Sequence, residues 1–428
     1  MRWAFFLLLG FPFFTNLFPS ETVLPPDELQ GYITEFRLRE TLLNQRLAEN
    51  PEDLSGLSAR GDARLFLGNF EGARQDYAAM IKLDPDRAKS YYNLGVVLHD
   101  LGHFDHSLLC YEKARELGYD SSRVNLSIGM HFLKLRDFKN GFDHVDLKSN
   151  GAWRLGKNYD VHGDRLSDIE LWQGQNPKGK NILVYSEQGF GDNIQFSRYL
   201  PELSRLCGDV TFLCYDALAT VLRNSHVFDD IDVLDSIGEY VIDLDYRVPL
   251  LSVPRLIDAT FDDIPLASGY FTETHNKDWA LSNDRLNVAV AWEATKKDTR
   301  RSIAPALIQN LCDNPKINFI DIQRGSNHDI DGVMSVGDRI HDFTDTVDIL
   351  SQCDLLVSTD TAMTHVGGAL GVPTHLLLHY SADWRWFTHD MNHSPWYESV
   401  SIFRQKTPQD WISPINEVKK RFGVLINQ

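Results

Sequence analysis

A repeat of 34 residues in the first third of the chain constrains the fold more than any other feature. Small and aromatic residues recur at this step, the clearest being Gly61, Gly95, Gly129, Phe70, Phe104 and Phe138. Small residues let two helices approach closely, and aromatic residues fill the space beside them. A repeat of this length therefore predicts pairs of antiparallel helices that bury a core by stacking on one another.

Two complete units are predicted, at 52–85 and 86–119. A third, at 120–153, loses the pattern after Gly141, and the segment 29–50 is predicted to be a further helix that caps the array. The pattern resembles the tetratricopeptide repeat, which implies a protein or peptide partner bound in a groove. The alternative is that so short an array only packs on the next domain and orients it.

The charge balance argues against a nucleic-acid-binding surface. The 428 residues include 42 Lys and Arg against 60 Asp and Glu, a formal net charge of −18, whereas nucleic-acid binding needs a basic stripe. The five cysteines are scattered without any Cys-x-x-Cys pair. We therefore expect neither a disulfide framework nor a structural zinc site.

The apolar segment 1–28 leaves two interpretations open. It resembles a short signal peptide or membrane anchor, but Pro12, Thr15 and Asn16 interrupt it, and it is shorter than the roughly 20 apolar residues of a spanning helix. The alternative is an apolar flap on the next domain, or a start codon assigned too far upstream. We expect a cytoplasmic protein, with a membrane anchor as the alternative.

The rest of the chain alternates strands with helices, and we divide it into halves at 154–284 and 285–428. The predicted strands are 180–185, 210–214, 231–234, 240–243, 287–292, 319–323, 355–358 and 374–378. A helix is expected at 346–353 and a buried loop at 249–254. The predicted fold is thus an α-helical repeat array followed by two Rossmann-like α/β halves with parallel sheets, whose ligands bind beyond the carboxyl ends of the strands.

The segment 358–373 predicts a phosphate site. Asp360 and Thr361 follow a buried strand and precede a helix expected at 362–370. The start of a helix offers unpaired N–H groups and the positive end of the helix dipole, which suit a diphosphate. Gly367 and Gly368 leave room for a ligand or a neighbouring backbone.

A second glycine-rich turn, 186–192, follows the strand at 180–185 and ends in Asp192. A carboxylate in this place could take a proton from a substrate hydroxyl. The alternative is that Asp192 only caps the helix that follows. Glu187 is a weaker candidate for the same base.

Seven segments together carry a specific resemblance: 187–200, the strand ending at Trp292, 301–303, 360–365, 383–386, 394–397 and 403–405. In order, they resemble bacterial tetratricopeptide-repeat proteins with a glycosyltransferase domain similar to the heptosyltransferase family (family 9, GT-B fold). The resemblance implies transfer from a nucleotide-diphosphate sugar, without metal or further cofactor. The acceptor would meet the first half and the donor the second half.

The resemblance also implies roles for individual residues. Asp192 and His365 would be the catalytic residues, with Asp192 the general base of an inverting transfer and His365 in contact with the donor. The other donor-binding residues would be Thr295, Arg300, Arg301, Asp360, Thr361, Ala362 and Gly368. The acceptor-side loop would comprise Glu187, Gln188, Gly189 and Gly191. Two departures put the family's heptose donor in question, because Ala362 replaces the usual glycine and an arginine stands where the family has a lysine.

Each of these roles has a structural alternative. His365 could be a packing residue, Asp360 a helix cap, and the arginines part of a solvated charged face. Trp384, Trp386, Trp396 and Trp411 could stack on a sugar but are expected to pack. For the whole chain, the alternatives to a glycosyltransferase with a protein acceptor are a repeat scaffold with a degenerate transferase domain and, less favoured, a nucleotide-sugar epimerase.

Overall fold

The computed structural model describes residues 26–148, 166, 168–236, 243–294, 299–325 and 329–426, with the backbone alone at 26–32, 147–148 and 299. The chain divides into two compact units. The first comprises residues 1–156 with 295–299 and 380–388, and the second comprises 157–294, 300–379 and 389–428. Thr295 and most of the apolar segment 1–28 lie outside the described residues.

The first unit is the predicted helical array. Its helices are α1 (Pro26–Glu49), α2 (Leu54–Phe66), α3 (Phe70–Leu83), α4 (Ala88–Asp100), α5 (Phe104–Glu116), α6 (Ser121–Lys134) and α7 (Phe138–Asp143). Asp53, Asn69 and Asp120 each precede a helix and accept hydrogen bonds from its first N–H groups. The helix pairs confirm the repeat, and the third pair ends in a π-helix, His144–Lys148, where the sequence pattern fades.

The repeated glycines hold the two helices of each pair together. A Cβ atom at Gly61 would lie 2.8 Å from the Tyr77 ring, and one at Gly95 would lie 2.8 Å from the Tyr111 ring. Both rings are buried. The 34-residue period therefore arises from one type of glycine–aromatic contact that occurs twice. In each case the two residues are sixteen positions apart.

The second unit contains two parallel sheets, as predicted. The first sheet has the order β1-β5-β2-β3-β4. Its strands are β1 (Glu170–Leu171), β2 (Ile182–Tyr185), β3 (Val210–Leu213), β4 (Ile231–Leu234) and β5 (Tyr246–Pro249). The helices of this half are α8 (Phe190–Ser197), α9 (Leu200–Ser204), α10 (Asp216–Arg223) and α11 (Val253–Leu256).

Two predictions in this half have different outcomes. Of the strand predicted at 240–243, residues 240–242 lie outside the described residues, so it stays a prediction, and the sheet contains β5, which was not predicted. The predicted loop at 249–254 instead holds a short 3₁₀ turn and the start of α11. β5 alternates poorly and contains a proline, so neither periodicity nor composition marks it as a strand.

The second sheet has the order β11-β10-β9-β6-β7-β8. Its strands are β6 (Leu286–Ala291), β7 (Ile317–Asp321), β8 (Val333–Ser335), β9 (Leu355–Thr359), β10 (Thr374–Leu378) and β11 (Val400–Arg404). The helices are α12 (Pro305–Leu311), α13 (Phe343–Leu350), α14 (Ala362–Leu370) and α15 (Ile412–Leu425). β7 begins two residues and α13 three residues before their predicted positions, and β8 and β11 were not predicted.

The core of this second half explains why its central strands were recognised. β6 and β9 lie side by side and carry almost uninterrupted buried apolar residues, including Val288, Val290, Leu355 and Val357. Strands buried on both faces read as continuous apolar runs. Among the described helices, none is both long and apolar enough to cross a membrane.

Candidate functional site

The two glycine-rich turns meet in the second unit. The turn after β2 leads into α8, and the turn after β9 leads into α14. A Cβ atom at Gly191 would lie 2.8 Å from His365 Cδ2 and 3.6 Å from Ala362 Cα. The structure thus brings the predicted base turn and the predicted donor turn into direct contact, at the carboxyl ends of strands from both sheets.

Asp192 is half-buried in the first turn of α8. Its Oδ2 accepts a hydrogen bond of 2.9 Å from the Gly189 N–H, so Asp192 caps the helix from its third residue and not from the position before the helix that the alternative assumed. A carboxylate has about four acceptor positions, and a general base uses one of them to take the proton of a substrate hydroxyl. The cap also fixes the orientation of the carboxylate, which a general base requires.

Glu187 holds the turn together from inside. Its side chain is fully buried, and its Oε1 accepts a hydrogen bond of 3.0 Å from the Leu251 N–H. Its carbonyl accepts a second bond, of 2.8 Å, from Asn193 Nδ2. Glu187 therefore supports the turn from inside, and its place in the acceptor-side loop, or as the base, stays a prediction.

Gln188 has a left-handed backbone, with φ of 65°, which is uncommon for a residue other than glycine. Its carbonyl accepts a hydrogen bond of 2.9 Å from the Tyr215 hydroxyl. Gly189, at the N-cap of α8, is exposed. The shape of the turn is therefore set by its contacts, and Gly189 remains open to an acceptor.

Two aromatic residues beside this turn were not singled out from the sequence. Phe190 is 41% exposed, and its ring centroid lies 5.4 Å from that of Tyr215 and 5.0 Å from that of Phe343. Burial, together with the negative charges of Asp192 and Glu187, raises the pKa of Tyr215 to about 12. Tyr215 thus stays protonated at neutral pH, within the electrostatic reach of Asp192.

The donor turn begins directly after β9. Asp360 is buried, and Thr361 is the N-cap of α14 in an extended conformation. The Thr361 side chain does not cap the helix, and its Oγ1 lies 3.4 Å from Ser358 Oγ. The cap position belongs to Thr361 and not to Asp360, so the alternative that Asp360 caps this helix is wrong.

Arginines supply fixed positive charge at this turn. Arg301 is half-buried, and its Nη1 donates a hydrogen bond of 2.8 Å to the Asp360 carbonyl and lies 3.8 Å from Asp360 Oδ2. Arg300 is also half-buried. Arg301 therefore places a cationic side chain near the positive end of the α14 dipole, where an anion is favoured.

Arg404 adds a second positive charge near Asp360 that was not assigned a role from the sequence. It ends β11, and burial lowers its pKa to about 10, against the opposing effect of the negative charges of Asp360 and Asp390. The guanidinium remains charged at neutral pH. Only the position of β11 beside β10 in the sheet brings it to the donor turn.

The two small residues predicted to leave room for the donor differ in their surroundings. Ala362 is half-buried and faces Gly191. Gly368 is buried, and a Cβ atom there would lie 2.3 Å from the Tyr397 ring. The interpretation that Gly368 stands open to a ligand is therefore corrected, since a side chain of the protein fills that space.

His365 is buried on α14, and its Nδ1 lies 2.9 Å from the Tyr397 hydroxyl. Its opposite edge faces Gly191, in the first turn of α8. His365 thus packs and also belongs to the site. Trp384, Trp386, Trp396 and Trp411 are all buried, which agrees with the packing interpretation of these residues.

No group of three or more His, Cys, Asp or Glu side chains is arranged to hold a metal ion within the described part of the chain. The positive charge at the donor turn comes from side chains and from the helix terminus. These groups can bind an oxyanion directly.

Comparisons with known proteins support the repeats directly. Family models for tetratricopeptide repeats match residues 61–102 and 88–117. Protein FlbA of Caulobacter vibrioides is 21% identical over 404 residues, which cover 85% of this chain and 66% of that protein. A probable UDP-N-acetylglucosamine–peptide N-acetylglucosaminyltransferase SPINDLY of Hordeum vulgare is 41% identical over 58 residues, 14% of this chain and 6% of that protein. The chain thus spans less than two thirds of either relative.

Among solved structures, a glycosyl transferase family 9 protein from Veillonella parvula DSM 2008 is similar over 60% of this chain and 99% of its own, with 12% identity and a TM-score of 0.45. A crystal structure of MamA covers 31% of this chain and 76% of its own, with 14% identity and a TM-score of 0.27. The family models show the tetratricopeptide repeats, and the strand order of the fold itself shows the two-sheet α/β architecture. The roles of the site residues remain predictions.

Proposed function

We propose that this chain is a glycosyltransferase that moves a sugar from a nucleotide-diphosphate sugar to an acceptor hydroxyl. The observation that carries the proposal is the contact between Gly191 and His365, which joins a turn bearing a carboxylate to a turn suited to a diphosphate. The ordered motifs that resemble family 9 glycosyltransferases support the same reaction.

In the proposed reaction Asp192 takes the proton of the acceptor hydroxyl as its oxygen bonds to the anomeric carbon of the donor. The bond from that carbon to the diphosphate breaks, and the electron pair leaves with the nucleoside diphosphate. Attack opposite the leaving group inverts the anomeric centre. Arg301, Arg404 and the N-terminus of α14 stabilise the negative charge that develops on the diphosphate.

We propose that the transfer needs no metal or further cofactor, because the arginines provide the positive charge that a metal ion would otherwise supply. A protein or peptide acceptor is proposed because the chain carries tetratricopeptide repeats. The similarity of a repeat segment to a protein named as a peptide N-acetylglucosaminyltransferase supports this choice of acceptor.

Donor binding can be tested by thermal shift with ADP, UDP, GDP, CDP and the corresponding nucleotide sugars. A ligand that binds only the folded state raises its stability as the ligand concentration exceeds the dissociation constant. We expect one nucleotide to stabilise the protein. In Arg301→Met, the dissociation constant of that nucleotide should rise about tenfold or more. Arg223→Met is the matched control. Arg223 ends α10 beside the first sheet, where it likewise donates to a backbone carbonyl, that of Val233, and pairs with a carboxylate, that of Asp235.

Asp192→Asn tests the base separately. The amide oxygen can still accept the Gly189 N–H bond, so the turn is retained while the proton acceptor is lost. We expect release of nucleoside diphosphate from the best-binding nucleotide sugar to fall by about 10²- to 10⁴-fold, with nucleotide binding unchanged. Asp410→Asn, which alters a carboxylate that accepts from the Ser413 N–H at the start of α15, should have little effect. Unchanged turnover in Asp192→Asn would refute the assignment of the base.

If none of the nucleotides shifts the melting temperature, the alternative of a repeat scaffold with an inactive α/β domain is favoured. Consumption of the nucleotide sugar without transfer to any acceptor or to water would instead indicate an epimerase.

A further inference from the structure

The second unit contains a buried arginine that the proposed reaction does not use. Arg198 follows α8 and is fully buried. No carboxylate within the described residues pairs with it. Its Nε donates a hydrogen bond of 2.8 Å to the Gln195 carbonyl, and its Nη1 donates to the carbonyls of Pro265 and Trp396. A buried charge is costly unless its surroundings compensate for it.

Aromatic rings supply part of that compensation. The guanidinium carbon of Arg198 lies 4.5 Å from the ring centroid of Tyr397 and 5.1 Å from that of Tyr270. Such cation–π contacts are strongest where water is excluded. Arg198 comes from the half that carries Asp192, and Tyr397 comes from the half that carries His365. The arginine therefore fixes the Tyr397 ring from across the boundary between the two halves.

Tyr397 is held equally tightly on its other side. Its ring lies against Gly368, where any side chain would collide with it. Its hydroxyl lies 2.9 Å from Nδ1 of His365, which precedes Gly368 by three residues on α14 and so lies on the same face of the helix. The identity of Gly368 is thus explained by the need to bring this hydroxyl to the histidine.

Burial raises the pKa of the Tyr397 phenol well above its ordinary value of 10, and the nearby Arg198 charge only partly opposes this effect. The phenol therefore keeps its proton throughout the physiological range. A tyrosine hydroxyl has one proton to donate, and the unprotonated ring nitrogen of a neutral histidine accepts it well.

We propose that Tyr397, supported by Arg198, is a positioning residue that donates to His365 Nδ1 and holds the ring in the tautomer with its proton on Nε2. The Nε2 edge faces the first turn of α8, where Asp192 lies, since a Cβ atom at Gly191 would be 3.4 Å from Nε2. An N–H group there can donate to an oxygen of the donor substrate. The catalytic role of this tautomer rests on the proposed glycosyl transfer. The assignment of the tautomer depends only on the contact with Tyr397.

The test compares two tyrosine-to-phenylalanine variants of the full chain. Tyr397→Phe removes the hydroxyl that contacts His365 and keeps the ring that packs on Gly368. Tyr199→Phe is the matched control, because Tyr199 is also fully buried and its hydroxyl has no hydrogen-bond partner within the described residues. Both variants lose the same atom from the same region.

The first measurement is the ¹⁵N spectrum of histidine-labelled protein at about pH 8, above the ordinary histidine pKa of about 6.5. The His365 signals are identified by their loss in His365→Gln. We expect wild type and Tyr199→Phe to show His365 with Nδ1 unprotonated and Nε2 protonated, and Tyr397→Phe to show a mixture of tautomers. A wild-type ring protonated on Nδ1, or a pattern unchanged in Tyr397→Phe, overturns the proposal.

The second measurement is turnover of the nucleotide sugar. Tyr397→Phe should lower kcat about tenfold, and Tyr199→Phe should stay within about twofold of wild type. Failure of wild type to turn over any nucleotide sugar counts against the proposed function, whereas the spectrum still decides the tautomer. Equal losses of kcat in the two variants would contradict a specific role for Tyr397.

Discussion

Glycines serve the same physical purpose in the two units but differ in how far along the chain their partners lie. In the repeats, Gly61 and Gly95 each contact a tyrosine sixteen residues later. In the α/β unit, Gly191 contacts His365, and Gly368 contacts Tyr397. In every case an added Cβ would collide with a ring. The comparison teaches that close helix packing leaves a periodic trace in the sequence only where the partner is local.

The difference also concerns what each contact supports. The glycine contacts of the repeats occur twice with the same partner type, so they form a structural element of the array. The contacts at Gly191 and Gly368 occur once each, and both involve the residues around His365. We therefore expect substitutions in the repeats to change stability, and substitutions in the α/β unit to change chemistry as well.

The largest expected effect is that of Gly191→Ala. The new Cβ would lie 2.8 Å from the His365 ring and push it away from the first turn of α8. A displacement of about 1 Å in a catalytic site can lower the rate roughly 100-fold, so we expect turnover to fall by about that factor. Steady-state kinetics measure the change, and a variant with wild-type kcat would show that this contact is not part of the site.

Gly368→Ala should have the next largest effect, because the Tyr397 ring lies 2.3 Å from the new Cβ and is fully buried. Overpacking of this kind costs about 1–3 kcal/mol, and we expect a loss near the upper end of that range. Urea unfolding measures it. Gly423→Ala is the control, since no atom lies within 4 Å of a Cβ at that glycine of α15. A stability of Gly368→Ala equal to that of the control would contradict the close packing of Tyr397.

Gly95→Ala should lower stability less, by about 1 kcal/mol. The Tyr111 ring lies 2.8 Å from the new Cβ, but alanine in a helix gains up to about 1 kcal/mol over glycine, which offsets part of the overpacking cost of about 1–3 kcal/mol. Turnover at saturating nucleotide sugar should stay unchanged. A loss of turnover as large as that of Gly191→Ala would remove the contrast between the two units.

The smallest expected effects are opposite pH dependences of two buried aspartates. Burial raises the pKa of Asp62 in the repeats, although the hydrogen bond from Tyr77 opposes it. The folded state therefore binds this proton more readily than the unfolded chain does, and its stability falls as pH rises above about 3.8 through the raised pKa. Asp62→Asn should flatten that part of the stability profile.

Asp348 in the α/β unit has the opposite sign. Burial acts to raise its pKa, but hydrogen bonds donated by the backbone N–H groups of Asn276 and Lys277 and by Trp279 Nε1 outweigh burial and lower it. Its contribution to stability is present above pH 3.8 and is lost as pH falls through the lowered pKa. Asp348→Asn should therefore destabilise the protein at neutral pH, as urea unfolding at a series of pH values would show. If Asp62→Asn and Asp348→Asn changed the slope of the free energy of unfolding against pH in the same direction, the opposite signs predicted for the two aspartates would be refuted.

Much of the fold followed from local patterns. The repeat was visible because Gly61, Gly95, Phe70 and Phe104 recur at one spacing, and the central strands were visible because they are continuous apolar runs. The edge strand β8 was not predicted because it has three residues and none of them is buried, so its composition differs little from that of a loop. β5 was not predicted because it contains a proline, which is rare inside strands.

The site divides in the same way. Asp192, Asp360 and His365 were recognisable because they lie in glycine-rich turns after strands. The burial of Glu187 was not predicted, because the sequence does not show on which side of a turn a side chain lies. Gly368 was assigned to the donor because a glycine that makes room for a ligand looks the same in sequence as one that makes room for a tyrosine.

The sequence by itself determined the helical repeat, the two α/β halves and the two turns that carry the candidate chemistry, because each depends on residues close together in the chain. Only the tertiary structure decided that these turns touch, that Tyr397 contacts His365, that Arg198 lies over the Tyr397 ring, and that Arg404 lies near Asp360. These contacts join residues that the chain separates by 32 to 199 positions. Such pairings are set by strand order and helix packing, which no local pattern records.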